Sequence, residues 1–178
     1  QNGEQVVITV GGDKEAGKAL GKALGKWAKS PTKGFKRAAK AIAEKGARTV
    51  VIKIAAGKYK GDLGSGVYQM PRFQNPEAKL RIEGGYSADF TARDPFRTPT
   101  HFACDKDRSA PLIKFWLSRP HAKMQDELEA LVIDGLFLDV TKSNRYDSKN
   151  NMLLTGSSCT QVVVHFGYLK TNLLEVKN

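Results

Sequence analysis

The sequence predicts an all-β solenoid, that is, a parallel β-helix whose coils stack strand on strand, with one capping helix near the N-terminus. Three observations lead to this prediction. Short β-rich runs fill the chain after residue 48, glycines stand at the ends of these runs, and the later runs recur at a regular step. A regular step of about 20 residues is typical of solenoid folds.

The β-rich runs alternate aliphatic residues with others, which turns one side of each strand toward a core. Residues 80–83 (LRIE) and 131–134 (LVID) follow this alternation. Each run then meets a glycine, which lets the backbone turn a corner without a steric cost. The glycines concerned are Gly57, Gly84, Gly85 and Gly135.

The spacing of the runs decides between architectures. Leu131 and Leu153 are 22 residues apart, and Leu153 and Leu173 are 20 apart. A sandwich of hairpins would carry two-residue turns such as Asn-Gly between the runs, and the sequence has none there. One helix followed only by strands also argues against an alternating, doubly wound fold.

The N-terminal region predicts one strand and two helical segments. Residues 6–10 (VVITV) form an apolar strand that ends at two glycines. In residues 14–29, Leu20, Leu24 and Trp27 share one helical face. Glycines recur in that segment, and each costs about 1 kcal/mol in a helix. The segment is therefore either a helix that needs a partner surface or a mobile loop.

A firmer helix follows Ser30 and Pro31, which give a start signal. Its apolar positions Phe35, Ala38, Ala39 and Ile42 recur at helical spacing, and Gly46 supplies the stop. Lysines and one arginine fill the opposite face.

The net charge of +11 is concentrated in the first 60 residues, where 14 Lys and Arg face four acids. A localised basic segment implies an anionic partner or surface, and a merely solvated face is the alternative. The residues that we select as an anionic-ligand surface are Lys14, Lys18, Lys22, Lys26, Lys29, Lys33, Lys36, Arg37 and Lys40. The alternative for this segment is that its apolar stripe packs on the barrel end while its lysines face water.

The sequence predicts no metal site and no cofactor. Two cysteines cannot complete a four-ligand zinc site, and the three histidines lie far apart. Cys104 and Cys159 could form one disulfide in an exported protein, and two reduced buried thiols are the alternative. No apolar run reaches the length of about 18 residues that a membrane span needs. No leader is present either, so we expect that any export signal has been removed.

Three stretches resemble bacterial right-handed parallel β-helix proteins of the pectate-lyase-like superfamily. Residues 35–59 (FKRAAKAIAEKGARTVVIKIAAGKY) resemble their capping helix and first strand. Residues 80–100 (LRIEGGYSADFTARDPFRTPT) look like their recurring GGY and RDP segment, and residues 132–138 (VIDGLFL) resemble a corner and strand. The superfamily includes lyases, hydrolases and adhesins, so the resemblance implies a fold more than an activity.

We therefore expect residues 1–48 to form a basic strand and capping-helix region and residues 49–178 to form the first coils of a β-helix. The last residues, 173–178, read as the beginning of another coil. An unfinished coil would leave unpaired strand groups, so we expect further chain or another protein to cover that edge.

Three further groups of residues are candidate sites. In residues 93–97 (RDPFR), Asp94 and Pro95 predict a turn, and an arginine there could pair with a carboxylate. Asp105 and Asp107 are too few for a calcium site. Asp134 and Asp139 should point outward, but no second carboxylate at a defined distance supports an acid/base pair.

Two functions follow as hypotheses. The first is a secreted or cell-surface bacterial module without catalysis, structural or adhesin-like, that binds anionic polysaccharide through its basic end. A membrane surface is a second candidate partner, and nucleic acid ranks third because no interleaved aromatics accompany the lysines. The alternative is the N-terminal part of a polysaccharide lyase or glycoside hydrolase whose active coils lie beyond residue 178.

Overall fold

A computed structural model describes residues 5–20, 27–44, 47–60, 68–103, 113–114, 127–139, 144–147, 149, 152–155, 164–165 and 169–177. Within these ranges two helices and thirteen strands are present. In chain order they are β1 (Gln5–Val10), α1 (Lys14–Leu20), α2 (Pro31–Glu44), β2 (Thr49–Ala55), β3 (Gly57–Lys60), β4 (Tyr68–Gln69), β5 (Gln74–Tyr86), β6 (Thr100–Ala103), β7 (Ile113–Lys114), β8 (Glu127–Asp134), β9 (Leu136–Asp139), β10 (Asn144–Asp147), β11 (Met152–Thr155), β12 (Val164–His165) and β13 (Lys170–Lys177).

The largest sheet has five parallel strands in the order β1-β2-β5-β8-β13. Its strands are rich in Val, Ile and Leu, which suit a pleated surface packed on a core. Alternate residues point inward, and Ile8, Ile52, Ile82 and Ile133 are all at most 1% exposed. These four isoleucines occupy the same register position in neighbouring strands and form a continuous apolar row.

The chain also forms two smaller parallel sheets, whose strands come between those of the large sheet in sequence order. One has the order β3-β6-β9 and the other the order β12-β7-β4. Strand β3 follows β2 after one residue, and β9 follows β8 at Gly135. The chain therefore turns from the large sheet into the β3-β6-β9 sheet at short corners.

Helix α2 forms because its apolar residues lie on one side. Pro31 suits the first turn, where a missing N–H costs nothing, and Gly34 N bonds Ser30 O at 3.1 Å to begin the helix. Phe35, Ala38 and Ile42 are at most 1% exposed, and they join the same core as β1, β2 and β5. The helix contacts these three strands and crosses between the parallel strands β1 and β2.

An aromatic cluster lies under α2. The ring of Phe102 stacks on Tyr68 at 4.4 Å and meets Tyr59 edge-on at 5.9 Å, and Phe35 lies 6.4 Å away. These residues come from α2, β3, β4 and β6, so residues on both sides of position 48 share one core. Burial raises the pKa of Tyr59 to about 12.

The predicted all-β solenoid, a right-handed parallel β-helix, is wrong. The described residues form an α/β-like arrangement of parallel sheets accompanied by helices, and no solenoid is detected among them. The regular step of about 20 residues was misleading, because the runs that it separates do not lie in paired strands. Leu153 lies in an antiparallel pair with β10, whereas Leu131 is paired with Leu80 and Leu174, which are 51 and 43 residues away.

Several local predictions are confirmed. Strand β1 and helix α2 lie where the sequence predicts them. Gly57, Gly85 and Gly135 have positive φ angles of 150°, 84° and 68°. In the segment of residues 14–29, Leu20 is 43% exposed at the end of α1, and Leu24 lies outside the described residues, so the predicted apolar stripe stays a prediction.

Candidate anion-binding surface

The outer side of α2 is basic because of its sequence spacing. Lys33, Lys36 and Lys40 recur at intervals of three and four residues, which places them on one face of the helix. All three are exposed, and they lie opposite the buried Phe35 and Ile42. The same amphipathic pattern that fixes α2 on the core therefore turns these lysines toward solvent.

A fourth lysine, Lys29, is held just before α2 by hydrogen bonds to the end of β1. Ala28 N donates to Thr9 O at 2.7 Å, and Gly11 N donates to Ala28 O at 2.9 Å. The Trp27 indole donates to Gly11 O at 2.8 Å. We call the four exposed lysines Lys29, Lys33, Lys36 and Lys40 the basic face.

Most of this charge is not matched by acids. Among the residues that the structure describes, Lys29, Lys33 and Lys36 have no ion-pair partner, and neither has Lys14. Lys18 differs, because its ammonium group lies 3.1 Å from the Glu15 carboxylate, one helical turn away. An unmatched row of cations raises the local positive potential and attracts anions.

Arg37 has a different role from that of the lysines. It is half-buried, and its guanidinium donates a hydrogen bond to the Trp27 carbonyl. It therefore ties α2 to the segment that carries Lys29, so at least part of its hydrogen-bonding capacity is structural.

Several predicted site residues lie outside the described ranges. Lys22 and Lys26, from the predicted basic surface, are among them. So are Cys104 and Cys159, as well as Asp105 and Asp107.

A second polar cluster lies at the C-terminal ends of the neighbouring strands β5 and β8. The sequence predicted only some of its members. We call it the corner network: Arg81, Glu83, Tyr86, Arg93 and Asp134. Arg81 Nε lies 2.8 Å from one Glu83 oxygen, and the Tyr86 hydroxyl donates to the other at 2.7 Å. The sheet register places Glu83 directly beside Asp134.

Arg93 joins the two halves of this network. Its Nη2 atom lies 3.1 Å from Asp134 Oδ1, and its Nε atom donates to Gly84 O at 2.9 Å. The guanidinium also lies 5.8 Å from the centre of the Tyr86 ring. This confirms the prediction that an arginine of residues 93–97 pairs with a carboxylate, and Asp94 makes the predicted turn by accepting from Phe96 N and Arg97 N.

The electrostatics of the corner network shift the pKa values of Glu83 and Tyr86. Burial by itself raises the pKa of Glu83, but hydrogen bonds from Tyr86 and Arg81, with the charges of Arg81 and Arg93, hold that pKa below its usual value. Burial, followed by the hydrogen bond to Glu83, raises the pKa of Tyr86. Near neutral pH Glu83 is therefore ionised and carries no proton to give as a general acid.

A sequence signal for this pairing did exist. Glu83 and Asp134 each stand immediately before a corner glycine, Gly84 and Gly135. Equivalent positions before equivalent corners become neighbours when the strands pair in parallel. Only Asp134 stands out as a candidate in the sequence, because the register that brings Glu83 beside it is a tertiary property.

Within the part of the chain that the structure describes, no group of three or more His, Cys, Asp or Glu residues could hold a metal ion. No helix in the described ranges is long and apolar enough to cross a membrane.

Comparison with known proteins gives no match to any family model, to any curated protein or to any solved structure. The resemblance of residues 35–59, 80–100 and 132–138 to the pectate-lyase-like superfamily therefore stays a prediction.

Proposed function

We propose that this chain is a non-catalytic binding module that holds an anionic polysaccharide on its basic face. The observation that carries the proposal is the exposure of Lys29, Lys33 and Lys36 without an acidic partner among the described residues. Exposed ammonium groups without partners can pair with carboxylate or sulfate groups of a ligand and lose no internal ion pair when they do so.

The dimensions of α2 favour a linear polymer over a single small anion. An α-helix rises about 1.5 Å per residue, so Lys33 and Lys40 lie roughly 10 Å apart along the axis. A row of this length can contact several anionic groups of one chain at the same time. Each such contact is weak because the lysines are exposed and screened by salt, so affinity would arise from their number.

The burial of α2 argues against a membrane surface as the partner. A helix that lies in a membrane interface inserts its apolar face among the lipids. In α2 that face is occupied by the core, since Phe35 is 0% and Ile42 is 1% exposed. Only the exposed lysines are left to contact a membrane, and the same lysines can contact a soluble polyanion.

The enzymatic alternative has no support from the corner network. Its two carboxylates, Glu83 and Asp134, are each bound by an arginine. A glycosidase needs one carboxyl group that keeps its proton, and Glu83 does not.

The test replaces the four lysines of the basic face by glutamine and compares binding to polygalacturonate by titration calorimetry. A control with the same change in net charge replaces Lys79, Lys149, Lys170 and Lys177, which are also exposed. It differs from the basic face in that Lys79, Lys170 and Lys177 are paired with acids. We expect the first variant to bind at least about tenfold more weakly and the control to bind nearly as well as the original protein.

Two further ligands, phosphatidylserine vesicles and duplex DNA, identify the class of partner. Equal weakening in both four-lysine variants would contradict the proposal, because binding would then follow net charge alone. Tighter binding to the vesicles or to DNA than to polygalacturonate would also contradict it.

A further inference from the structure

Three rings form a row on the outer side of the β3-β6-β9 sheet. His101 in β6 and Phe137 in β9 are register neighbours, and their rings stack at 5.1 Å with an interplanar angle of 20°. Phe96 meets Phe137 edge-on at 6.4 Å and 83°. The residues that alternate with them, such as Thr100 and Phe102, are 0% exposed, so the ring row points away from the core.

The ring row is exposed beyond what packing requires. Phe96 is 74% exposed, although a phenylalanine gains stability mainly by burial. His101 and Phe137 are half-buried by each other and by the sheet. Phe96 adjoins Phe137 and His101, so the three rings form one contiguous surface, and contiguous exposed apolar surface is a mark of interaction sites.

The backbone that carries Phe96 is held firmly. Asp94 Oδ1 accepts hydrogen bonds from Phe96 N at 3.0 Å and from Arg97 N at 3.1 Å. Asp94 N donates to Gly85 O at 2.8 Å, and the Thr98 hydroxyl donates to the same oxygen at 2.7 Å. The ring is thus presented by a turn tied to the corner of β5, which lowers the ordering cost of binding.

Cations border the ring row. Lys58 in β3 is the register neighbour of His101, and it is exposed. Arg97 is 88% exposed beside Phe96, and its Nε atom lies 3.7 Å from Asp94 Oδ2. The surface therefore combines aromatic faces with positive charge at its border.

We propose that the ring row of Phe96, Phe137 and His101 binds a sugar ring of an acidic carbohydrate. Aromatic faces carry negative potential, and the C–H groups of a pyranose carry a small positive charge. A pyranose has C–H groups on its faces and its edge, so it can pack against both perpendicular rings. Its carboxylate then meets Lys58 or Arg97. An aromatic base carries C–H groups only at its edge, so it fits the two perpendicular rings of Phe96 and Phe137 less well.

The test is an NMR titration of the whole chain with trigalacturonate, which follows the ring signals of Phe96, Phe137 and His101. Phe96→Ala should weaken binding about tenfold or more, because it removes the apolar ring surface on which the sugar packs. Phe96→Tyr should bind nearly as well as the original protein. Leu173→Ala, at a side chain that is 47% exposed, is the control and should change nothing. Phe96 is so exposed that its truncation leaves the core intact.

The proposal does not rest on the basic face, and the four-lysine variant separates the two. That variant should keep the ring shifts that trigalacturonate causes. Their loss would assign the sugar to the basic face and overturn the proposal. Unchanged binding by Phe96→Ala, or ring shifts with a mononucleotide but not with the sugar, would also overturn it.

Discussion

The basic face and the corner network are both rich in charge, but the charged side chains have different surroundings in the two regions. On the basic face, Lys29, Lys33 and Lys36 are exposed and have no acidic partner within the described ranges. In the corner network, Arg93 is 29% exposed at its side chain and is bound to Asp134, which is 14% exposed. Basic side chains are therefore exposed to solvent on the basic face and ion-paired to carboxylates in the corner network.

The difference teaches which charges the fold needs. A partly buried ion pair leaves an unmatched charge when one partner is removed, and this costs free energy. Replacing an exposed lysine that has no partner leaves no unmatched charge in the protein, because its ammonium group was solvated by water. Substitutions in the corner network should therefore lower stability, and those at Lys29, Lys33 and Lys36 should alter only binding.

The largest effect is expected from Arg93→Ala. It removes the ion pair to Asp134 and the hydrogen bond to Gly84 O, so we expect a loss of about 2–3 kcal/mol in the free energy of unfolding. Urea denaturation followed by circular dichroism measures it. Lys36→Ala is the matched control and should change the free energy by less than about 0.5 kcal/mol. Equal losses in the two variants would remove the distinction between the regions.

A smaller effect is expected from acid. The pKa of Glu83 is lower in the folded chain than in the unfolded chain, so its contribution to stability is complete above the unfolded pKa, near 4.5. It is lost as the pH falls through the folded pKa, when the carboxylate takes up a proton. Unfolding free energies measured from pH 6 to pH 3 should fall, and Glu83→Gln should fall less steeply. An equally steep fall in Glu83→Gln would show that other carboxylates dominate acid unfolding.

The smallest effect on stability is expected from Lys33→Gln with Lys36→Gln. The two lysines repel each other weakly and have no described partner, so the free energy of unfolding should stay within about 0.5 kcal/mol of the original value. Thermal unfolding at low and at moderate salt measures this. A loss of more than about 1 kcal/mol would mean that these lysines are part of the fold.

Local features of the fold could be predicted from the sequence. Helix α2 follows from the spacing of Phe35, Ala38 and Ile42, and the corner glycines follow from their place after aliphatic runs. The overall architecture could not be predicted, because the step between Leu131, Leu153 and Leu173 looked like a repeat. Spacing along the chain does not say which strands pair, and Leu153 pairs with the antiparallel neighbour β10.

The candidate sites also differ in whether they depend on local spacing or on strand pairing. Lys33, Lys36 and Lys40 of the basic face lie on one helix, so their arrangement follows from local periodicity. The corner network and the ring row join residues from strands far apart in the chain, such as Glu83 with Asp134 and His101 with Phe137. Their proximity depends on the parallel register, which no local pattern encodes.

The most direct test of the central claim is the salt dependence of polygalacturonate binding, measured for the original chain and for the variant with all four lysines of the basic face replaced by glutamine. We expect the affinity of the original chain to fall steeply as salt rises, because each ligand contact releases bound ions. The variant should bind weakly, and its binding should depend little on salt. A variant that binds with unchanged affinity and unchanged salt dependence would contradict the account.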